Sequence, residues 1–556
     1  MAQVQESIDL LPHWQRLNSI ELTNARVAAI PGKGFGLVVV DHSLSAPASD
    51  IEGNAGYDSR RPLIFVPADL VLHAEAVQEY AKQDCNFRLL LEAAGNQSTR
   101  GNVLLMLIVQ LVVSSRQPGE DRAALPTPWT DYVRFLPADV PLPTMWTAAE
   151  RRLLQGTSLE NAVRAKLLAL EREFDQLREQ SSAIPFWQAA LWERKCPLQL
   201  QDWILVDAWY RSRCLELPRY GPCMVPCIDM VNHSSTPNAY YEDHTSVPAG
   251  RADAGIVLLL RPGQTAAASD EITISYTGSI GDGTSAVGGT KPASEILFSY
   301  GFIDPISARH SLVLPVQPFP DDPLGKAKRH IFGESAPCLE VEVLRIDGQD
   351  DFGKEDEESS DSRLPARVRW TCPFACLMCV NEEDGLDFRL LQQTDGSTQL
   401  RMFWQDNDVT DAARNMEALT STHELAPIFR LRVVTVLQEV IEGQLERMQA
   451  AGHDQADDGS DDGKEDKATE AADRGSPSED YGENDTDMAD DNSSSHEDGV
   501  RSSVAEQAAV LRDIESRILS MTLETLEAER SDLLLNQTVV AYLGSMELSQ
   551  DDLVGK

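Results

Sequence analysis

The sequence predicts an α+β fold in which a helical block interrupts a strand-rich region and a mainly helical region follows. Two observations support this prediction. Short stretches of alternating apolar and polar residues stand near the start of the chain and return after about residue 254, as strands require. Between them, in residues 74–213, apolar residues recur at the three- and four-residue spacing of helices. We therefore expect one β-fold that carries a helical insertion.

The predicted strands are short and are bounded by turn residues. "NSIELTNARVAAIPGKGFGLVVV" alternates on both sides of a glycine turn, which predicts two strands. Further strands are expected in "RPLIFVPADLVL", "AGIVLLLRPG" and "DEITISY". A glycine-rich loop then leads into "ASEILFSYG", where we expect a helix closed by its glycine.

The predicted helices are longer. In the interrupting block they are "LLMLIVQLVV", "TAAERRLLQGTSLENAVRAKLLALEREFDQLREQ" and "LQDWILVDAWYRSRCL". Thr147 and Glu150 are spaced as a capping box at the start of the second. Two long helices are expected near the end, in "APIFRLRVVTVLQEVIEGQLERMQA" and "SVAEQAAVLRDIESRILSMTLETLEAERSDLLL". The acidic tract between them has too few apolar residues to bury, so we expect disorder there.

These elements divide the chain into three predicted units. Residues 1–73 and 214–304 form the two parts of the β-fold, and the second part holds the active site. Residues 74–213 are the helical insert. Residues 305–556 form a helical, substrate-binding-like domain that contains the disordered acidic insertion at 453–500.

The charge of the chain limits its partners. There are 89 Asp and Glu against 48 Lys and Arg, a net charge of −41. Such a surface repels phosphate backbones, so direct nucleic-acid binding is not expected, whereas a basic protein would be attracted. The start, "MAQVQESIDLLPHW", lacks the pattern of a secretory signal, and the apolar run "VLLMLIVQLVV" is too short to cross a bilayer. We expect a monomer without a membrane partner, in the cytoplasm, the nucleus or both.

The cysteines do not predict a metal site. "TCPFACLMCV" places Cys372, Cys376 and Cys379 close together, but no second CxxC or HxxxH pair supplies a further zinc ligand. We interpret these three as packed or surface thiols. Cys223 and Cys227 flank an apolar run and are expected in the core.

Some local patterns have both a structural and a functional interpretation. The glycines of "GKGFGL" suit a tight turn, and they equally suit a backbone that approaches a nucleotide-like ligand. The apolar run before Asn232 and His233 ends in turn-forming residues, which places two polar side chains at the edge of a core. Tyr276 and Tyr300, each taken alone, are ordinary core or rim residues.

Taken together and in order, these motifs resemble the SET-domain protein-lysine methyltransferases. The set is the glycine turn, a helical block, "SRC", "DMVNHSSTPNA", "DEITISY" and "YGF". The chain looks most like the subgroup with a helical insert in the SET fold and a C-terminal substrate-binding domain. That subgroup includes the Rubisco large-subunit lysine methyltransferase and enzymes that act on ribosomal and other non-histone proteins.

The resemblance implies S-adenosyl-L-methionine as cofactor and assigns residues to it. Asn232 and His233 would contact the cofactor. Gly34, Phe35 and Gly36 fall where the first loop of the family lies against it. Arg213, in "YRSRCL", matches an arginine that meets the cofactor carboxylate or nearby groups.

The resemblance also assigns the acceptor side. Tyr276 matches the active-site tyrosine, Tyr300 an aromatic wall near the target lysine, and Asp229 a residue that orients substrate. The implied activity is methylation of a lysine in a non-histone protein, with ribosomal or other basic proteins favoured by the acidic surface. Two alternatives stay open: a non-catalytic SET-fold scaffold that binds proteins, and a histidine-directed protein methyltransferase.

Overall fold

The computed structural model describes most of the chain. The described residues are 8–40, 44–45, 62–95, 98–115, 124–244, 254–276, 291–304, 309–333, 337–344, 367–392, 397–457 and 499–554. Most of the acidic tract, residues 458–498, and the glycine-rich loop at 277–290 lie outside them. The described part is a mixed α+β structure with small sheets and a helical C-terminal region, which confirms the predicted fold class.

The N-terminal part is strand-rich. Its elements are α1 (Leu11–Leu17), β1 (Glu21–Leu22), β2 (Ala25–Ile30), β3 (Gly34–Val39), β4 (Leu44–Ser45) and β5 (Ile64–Pro67). β2 and β3 form the predicted hairpin, with Ile30 paired to Gly34. Gly32 and Gly34 have φ angles of 74° and 79°, a left-handed backbone that favours glycine in this turn.

The interrupting block is helical, as predicted. It contains α2 (Ala74–Gln83), α3 (Cys85–Ala94), α4 (Thr99–Ser114), α5 (Pro128–Tyr132), α6 (Ala148–Arg152), α7 (Leu159–Ser182), α8 (Pro185–Trp187) and α9 (Leu200–Arg213). The capping box of Thr147 and Glu150 is present at the start of α6. The stretch predicted as one long helix after Thr147 forms two helices, α6 and α7, because the chain turns at Gly156, whose φ is 76°.

The strands that follow complete the β-fold. They are β6 (Leu215–Leu217), β7 (Gly221–Cys223), β8 (Asn232–His233), β9 (Ala239–His244), β10 (Gly255–Leu260), β11 (Thr265–Ala266) and β12 (Glu271–Ile274), and α10 (Ala293–Tyr300) comes next. Within the described residues, β1-β5-β10-β9 and β2-β3-β12-β8 form four-stranded sheets, while β4-β11 and β6-β7 are separate pairs. Strands from before and after the helical block thus share sheets.

The C-terminal region combines small sheets with long helices. Its elements are β13 (Ser311–Pro315), α11 (Gly325–Phe332), β14 (Cys338–Leu344), β15 (Arg367–Thr371), α12 (Pro373–Met378), β16 (Leu386–Gln392), β17 (Thr398–Trp404), β18 (Asn407–Asp408), α13 (Met416–Ser421), α14 (Ala426–Asp457), α15 (Ser502–Leu534) and α16 (Gln537–Val554). β13-β14-β15 and β16-β17-β18 form two three-stranded sheets. The long helices α14 and α15 are those that the apolar spacing predicts.

Two large hydrophobic cores hold the described residues together. The first runs from Leu11 to Ile274 and joins the β-fold to most of the insert. The second contains the C-terminal region, but also Trp146 and Leu159 of the insert and Ile296 of α10. The predicted unit boundaries stay predictions, since the second core takes residues from three of the predicted segments.

The cysteines discussed above lie in the two hydrophobic cores. Cys372, Cys376 and Cys379 belong to the second core, and Cys223 and Cys227 to the first. Among the described residues, no group of His, Cys, Asp and Glu is arranged to hold a metal ion. In the same part of the chain, every helix falls short of the length and apolar character needed to cross a bilayer.

Candidate active site

The sheet β2-β3-β12-β8 brings distant segments of the sequence to one place. β12 pairs with β3 in antiparallel register, with Ile272 opposite Leu37. On its other side β12 pairs in parallel with β8, with Thr273 opposite Asn232 and Ile274 opposite His233. The glycine strand, the Asn-His segment and the strand that leads to Tyr276 are therefore neighbours.

Gly36 and Asn232 are in close contact. A Cβ atom on Gly36 would lie 2.7 Å from Nδ2 of Asn232, so only glycine leaves room for this amide. Asn232 donates a 2.8 Å hydrogen bond to Oε1 of Glu271, and Lys33 pairs with the other oxygen of that carboxylate at 2.8 Å. Glu271 thus joins the glycine turn to the Asn-His segment.

His233 is held between Tyr276 and Asp304. The backbone N–H of Tyr276 donates a 3.0 Å hydrogen bond to Nδ1 of His233. A neutral imidazole that accepts at Nδ1 carries its proton on Nε2. That atom lies 3.4 Å from Oδ2 of Asp304. These contacts fix the ring orientation of His233.

Tyr276 lies in an aromatic cluster. Its ring centroid is 4.8 Å from that of Tyr300 and 5.3 Å from that of His233, and Phe302 is 6.2 Å away. Its hydroxyl donates a 2.8 Å hydrogen bond to the carbonyl of Val231. Burial raises the pKa of the Tyr276 hydroxyl, and Arg213 only partly opposes this shift. Tyr276 is therefore a neutral phenol at physiological pH.

A cavity of about 530 Å³ opens beside this cluster. It contains four of the predicted site residues, namely Arg213, Asp229, Tyr276 and Tyr300. Lys291 lines it as well, with Nζ 5.6 Å from the Tyr300 ring centroid. Lys291 also pairs with Glu295 at 2.8 Å.

A buried polar network lies under the cavity floor. Arg213 donates to the backbone carbonyl of Asp229 at 3.1 Å and lies 3.4 Å from its carboxylate. Tyr132 of α5 donates to the other carboxylate oxygen and accepts a 2.8 Å bond from the N–H of Cys227. Burial raises the pKa of Asp229, and Arg213 acts in the opposite direction. Each oxygen of the Asp229 carboxyl group therefore contacts a partner, Tyr132 at one and Arg213 at the other.

The nine predicted site residues fall in two adjoining groups. Gly34, Phe35, Gly36, Asn232 and His233 do not line the cavity wall and lie on β3 and β8, next to β12. The remaining four line the cavity. Phe35 is half-buried on β3 opposite Ala29. Their assigned contacts with cofactor and substrate stay predictions.

Sequence reasoning missed several residues of the site. They are Tyr132, Glu271, Lys291, Phe302 and Asp304, all in contact with predicted residues. Glu271 and Phe302 belong to the motifs "DEITISY" and "YGF", so those motifs held a signal for them. Nothing in the local sequence of Tyr132 indicates that it reaches Asp229, which is 97 positions away.

Comparison with known proteins finds solved structures with a similar fold. A solved structure of the SET domain of LSMT bound to lysine and AdoHcy matches 95% of this chain and 92% of its own, with a TM-score of 0.59 and 15% identity. A structure of Rubisco LSMT bound to AdoMet matches 95% of this chain and 93% of its own, with a TM-score of 0.58. The fold of this chain is therefore the fold of these LSMT structures.

Two known proteins are similar to this chain in sequence. SET domain-containing protein 8 of Schizosaccharomyces pombe is 25% identical over 396 residues, which is 70% of this chain and 78% of that protein. The Ribulose-1,5 bisphosphate carboxylase/oxygenase large subunit N-methyltransferase of Nicotiana tabacum is 25% identical over 222 residues, 37% of this chain and 40% of that enzyme. No protein-family model matches the chain. The chain is thus similar in sequence to SET domain-containing protein 8 over most of its length, and to the Rubisco large subunit N-methyltransferase over a smaller part.

Proposed function

We propose that this chain is an S-adenosylmethionine-dependent protein-lysine N-methyltransferase that acts on a non-histone protein. One observation carries the proposal. The Asn232-His233 strand packs against Gly36 on one side and is hydrogen-bonded to Tyr276 on the other, next to a cavity that Tyr276 and Tyr300 line. This arrangement suits a donor on the glycine side and an amine on the tyrosine side.

The residues present fit the cofactor. Nε of Arg213 is buried and has no hydrogen-bond partner within the described part of the chain, although the same side chain lines the cavity. A buried guanidinium N–H without a partner is costly, and a carboxylate would satisfy it. Arg213, Asn232, His233 and the Gly34–Gly36 segment would hold the cofactor. When bound, it supplies a methyl group on a positive sulfonium, an activated leaving group.

The protein must then present a neutral amine. A free lysine has a pKa of about 10.4, so at pH 7 its deprotonation costs about 4–5 kcal/mol. The wall of Tyr276, Tyr300 and Phe302 is aromatic and half-buried. Burial beside such a wall disfavours the ammonium form and lowers this cost. In-line placement of the amine within the cavity supplies much of the remaining acceleration.

Tyr276 acts as an orienting group in this proposal. Burial raises the pKa of its hydroxyl, so a tyrosinate base is costly at neutral pH. Its hydroxyl is already committed to the carbonyl of Val231, which fixes the ring beside Tyr300. The hydroxyl and nearby carbonyls are suited to weak CH···O contacts with a polarised methyl group.

The proposed substrate is a basic protein, ribosomal or other. We propose that the enzyme is a monomer and that it acts in the cytoplasm or the nucleus. The net charge of −41 supports the choice of a basic substrate, because it favours encounter with positively charged partners. Asp229 is proposed to orient substrate indirectly, through its pairing with Arg213 in the cavity wall.

The proposal is tested with labelled S-adenosylmethionine in an extract of cells that lack the protein. Purified wild-type chain should label a protein, and Tyr276→Phe should lower the labelling roughly 100-fold, since it removes the bond that positions the ring. Tyr542→Phe is the matched control, because Tyr542 bonds Arg432 in the C-terminal region. It should label like wild type.

The same experiment separates the alternatives. Mass spectrometry of the labelled protein should find methyl-lysine, while methyl-histidine would identify a histidine-directed enzyme. Calorimetry measures cofactor binding directly. Binding without any labelled protein, or no binding at all, would contradict catalysis and leave a scaffold.

A further inference from the structure

The C-terminal helix α15 reaches the back of the aromatic cluster. Oε1 of Gln507 accepts a 2.6 Å hydrogen bond from the backbone N–H of Ile303. Ile303 is buried in the second core and directly follows Phe302 of the cluster. A bond to a backbone N–H fixes the path of the chain at that point, whatever the side chains beside it do.

The segment that Gln507 holds continues to Asp304. Asp304 lies 3.4 Å from Nε2 of His233, and Nδ1 of His233 accepts the N–H of Tyr276. A continuous series of contacts therefore connects Gln507, Ile303, Asp304, His233 and Tyr276.

The start of this segment is closely packed as well. Gly301 has a φ of 82°, and a Cβ atom there would lie 2.6 Å from the carbonyl of Pro141. Arg211 of α9 donates a 2.7 Å bond to the carbonyl of Phe298 in α10. The insert thus fixes the segment from before Tyr300 to Gly301, and Gln507 fixes it again at Ile303.

We propose that Gln507 is a positioning residue, which sets Asp304 and His233 against Tyr276 and so couples the C-terminal helices to methyl transfer. The inference rests on the proposed function for its kinetic consequence. Its structural part, that Gln507 determines the environment of His233, is independent of any activity.

The test compares two substitutions of similar size. Gln507→Met removes the acceptor, and Gln507→Glu keeps a carboxylate oxygen for the Ile303 N–H. Gln507→Met should lower kcat about ten-fold, because Asp304 and His233 would no longer be held in place beside Tyr276. Gln507→Glu should stay within about three-fold of wild-type kcat. Glu506→Gln, on the exposed side of α15, is the control.

A second readout uses the cofactor-free protein. Histidine labelled with nitrogen-15 reports by NMR which ring nitrogen of His233 carries the proton, with His233→Gln to assign the signal. In wild type and Gln507→Glu the signal should show an Nε2-protonated ring, and in Gln507→Met it should shift toward a mixture. Wild-type signals and kinetics in Gln507→Met, or equal impairment in Gln507→Glu, would overturn the inference. An inactive wild type with the expected NMR shifts would instead count against the proposed function alone.

Discussion

At the scale of single residues, the contact between Gly36 and Asn232 lies on the proposed donor side of the site. The amide of Asn232 is placed by two features: the missing side chain at Gly36 and the carboxylate of Glu271. Steric room and a hydrogen bond together fix its position more tightly than either would alone. The glycine is thus needed for packing at position 36 and for backbone conformation at positions 32 and 34.

This difference between the glycines gives a prediction. Gly36→Ala would place Cβ 2.7 Å from Nδ2 of Asn232 and 2.7 Å from Cγ1 of Ile30, so it should displace the amide. We expect its affinity for S-adenosylmethionine to fall at least about ten-fold, which is a loss of about 1.4 kcal/mol. Calorimetry of the purified variants measures this affinity.

The control for Gly36→Ala is Gly32→Ala. A Cβ atom at Gly32 meets nothing within 4 Å, but its φ of 74° strains an L-residue by about 1–2 kcal/mol. Gly32→Ala should therefore lower the melting temperature and leave cofactor affinity close to wild type. Equal loss of affinity in both variants would show that turn strain, and not displacement of Asn232, is responsible.

Sequence motifs identified some residues of the candidate site, but they did not reveal residues that join it through distant contacts. Asn232, His233 and Tyr276 stand in recognisable motifs, and β12 does place them side by side. Tyr132 and Asp304 act through partners far along the chain, and no local pattern encodes such pairings. Contacts of this kind depend on tertiary packing, which spacing and composition do not report.

At the scale of elements, α6 and the segment that follows it are bound to the C-terminal helices. Arg501, just before α15, pairs with the buried carboxylate of Glu150 at 2.7 Å. Glu515 of α15 accepts hydrogen bonds from the N–H and the hydroxyl of Ser158. A Cβ atom at Gly156 would lie 2.8 Å from Cα of Met448, so α14 packs directly on this turn. The insert and the C-terminal region are thereby joined through backbone and charge.

Glu515 gives this junction a dependence on pH. Its side chain is 3% exposed, and burial raises its pKa to about 6, against hydrogen bonds from Ser158. The unfolded state ionises first, so the stability of the wild type should fall as pH rises from about 4.5 to about 6 and stay constant above that. The shift corresponds to about 2 kcal/mol. Glu515→Gln should remove this loss and be more stable than wild type by up to that amount at pH 8.

Urea unfolding of wild type and Glu515→Gln, each at about pH 4.5 and pH 8, tests this prediction. Comparing two proteins at two pH values separates the effect of pH on stability from any change in packing. Glu506→Gln, exposed on the same helix, is the control. A Glu515→Gln protein that is destabilised equally at both pH values would mean that folding does not raise the pKa of Glu515. Destabilisation that is larger at pH 8 than at pH 4.5 would mean that the ionised carboxylate is favourable where it lies.

Element prediction succeeded where the periodicity was long and unbroken. α4, α9, α14 and α15 all lie where apolar spacing places them. The strands β13 to β18 were not resolved individually from the sequence, since they are short and their exposed faces mix charged and apolar residues, as in β16. The break between α6 and α7 depends on the left-handed turn at Gly156, whose role requires contact with α14.

At the scale of the whole molecule, the candidate site lies where the two cores meet. Tyr276 packs against the first core, while Tyr300 and Phe302 pack against the second. The residues of the proposed donor side on β3 and β8 belong to the β-fold, whereas the proposed acceptor side draws on both cores.

The charge of the whole molecule leads to a last prediction, about how a basic substrate is recruited. With a net charge of −41, the KM for such a protein should rise about two- to five-fold between about 0.05 and 0.3 M salt, because salt screens the attraction. The KM for S-adenosylmethionine should change little, since the proposed contacts with the cofactor are short and salt screens short contacts least. A variant with Asn and Gln in place of the Asp and Glu of residues 458–498 tests where the attraction originates. We expect this variant to keep most of the salt response, because we interpret the acidic tract as a linker and not as the source of the attraction. Steady-state kinetics over the salt range decide the matter: a variant that has lost the response would place recruitment in the acidic tract, and a wild type that never shows it would exclude a basic substrate.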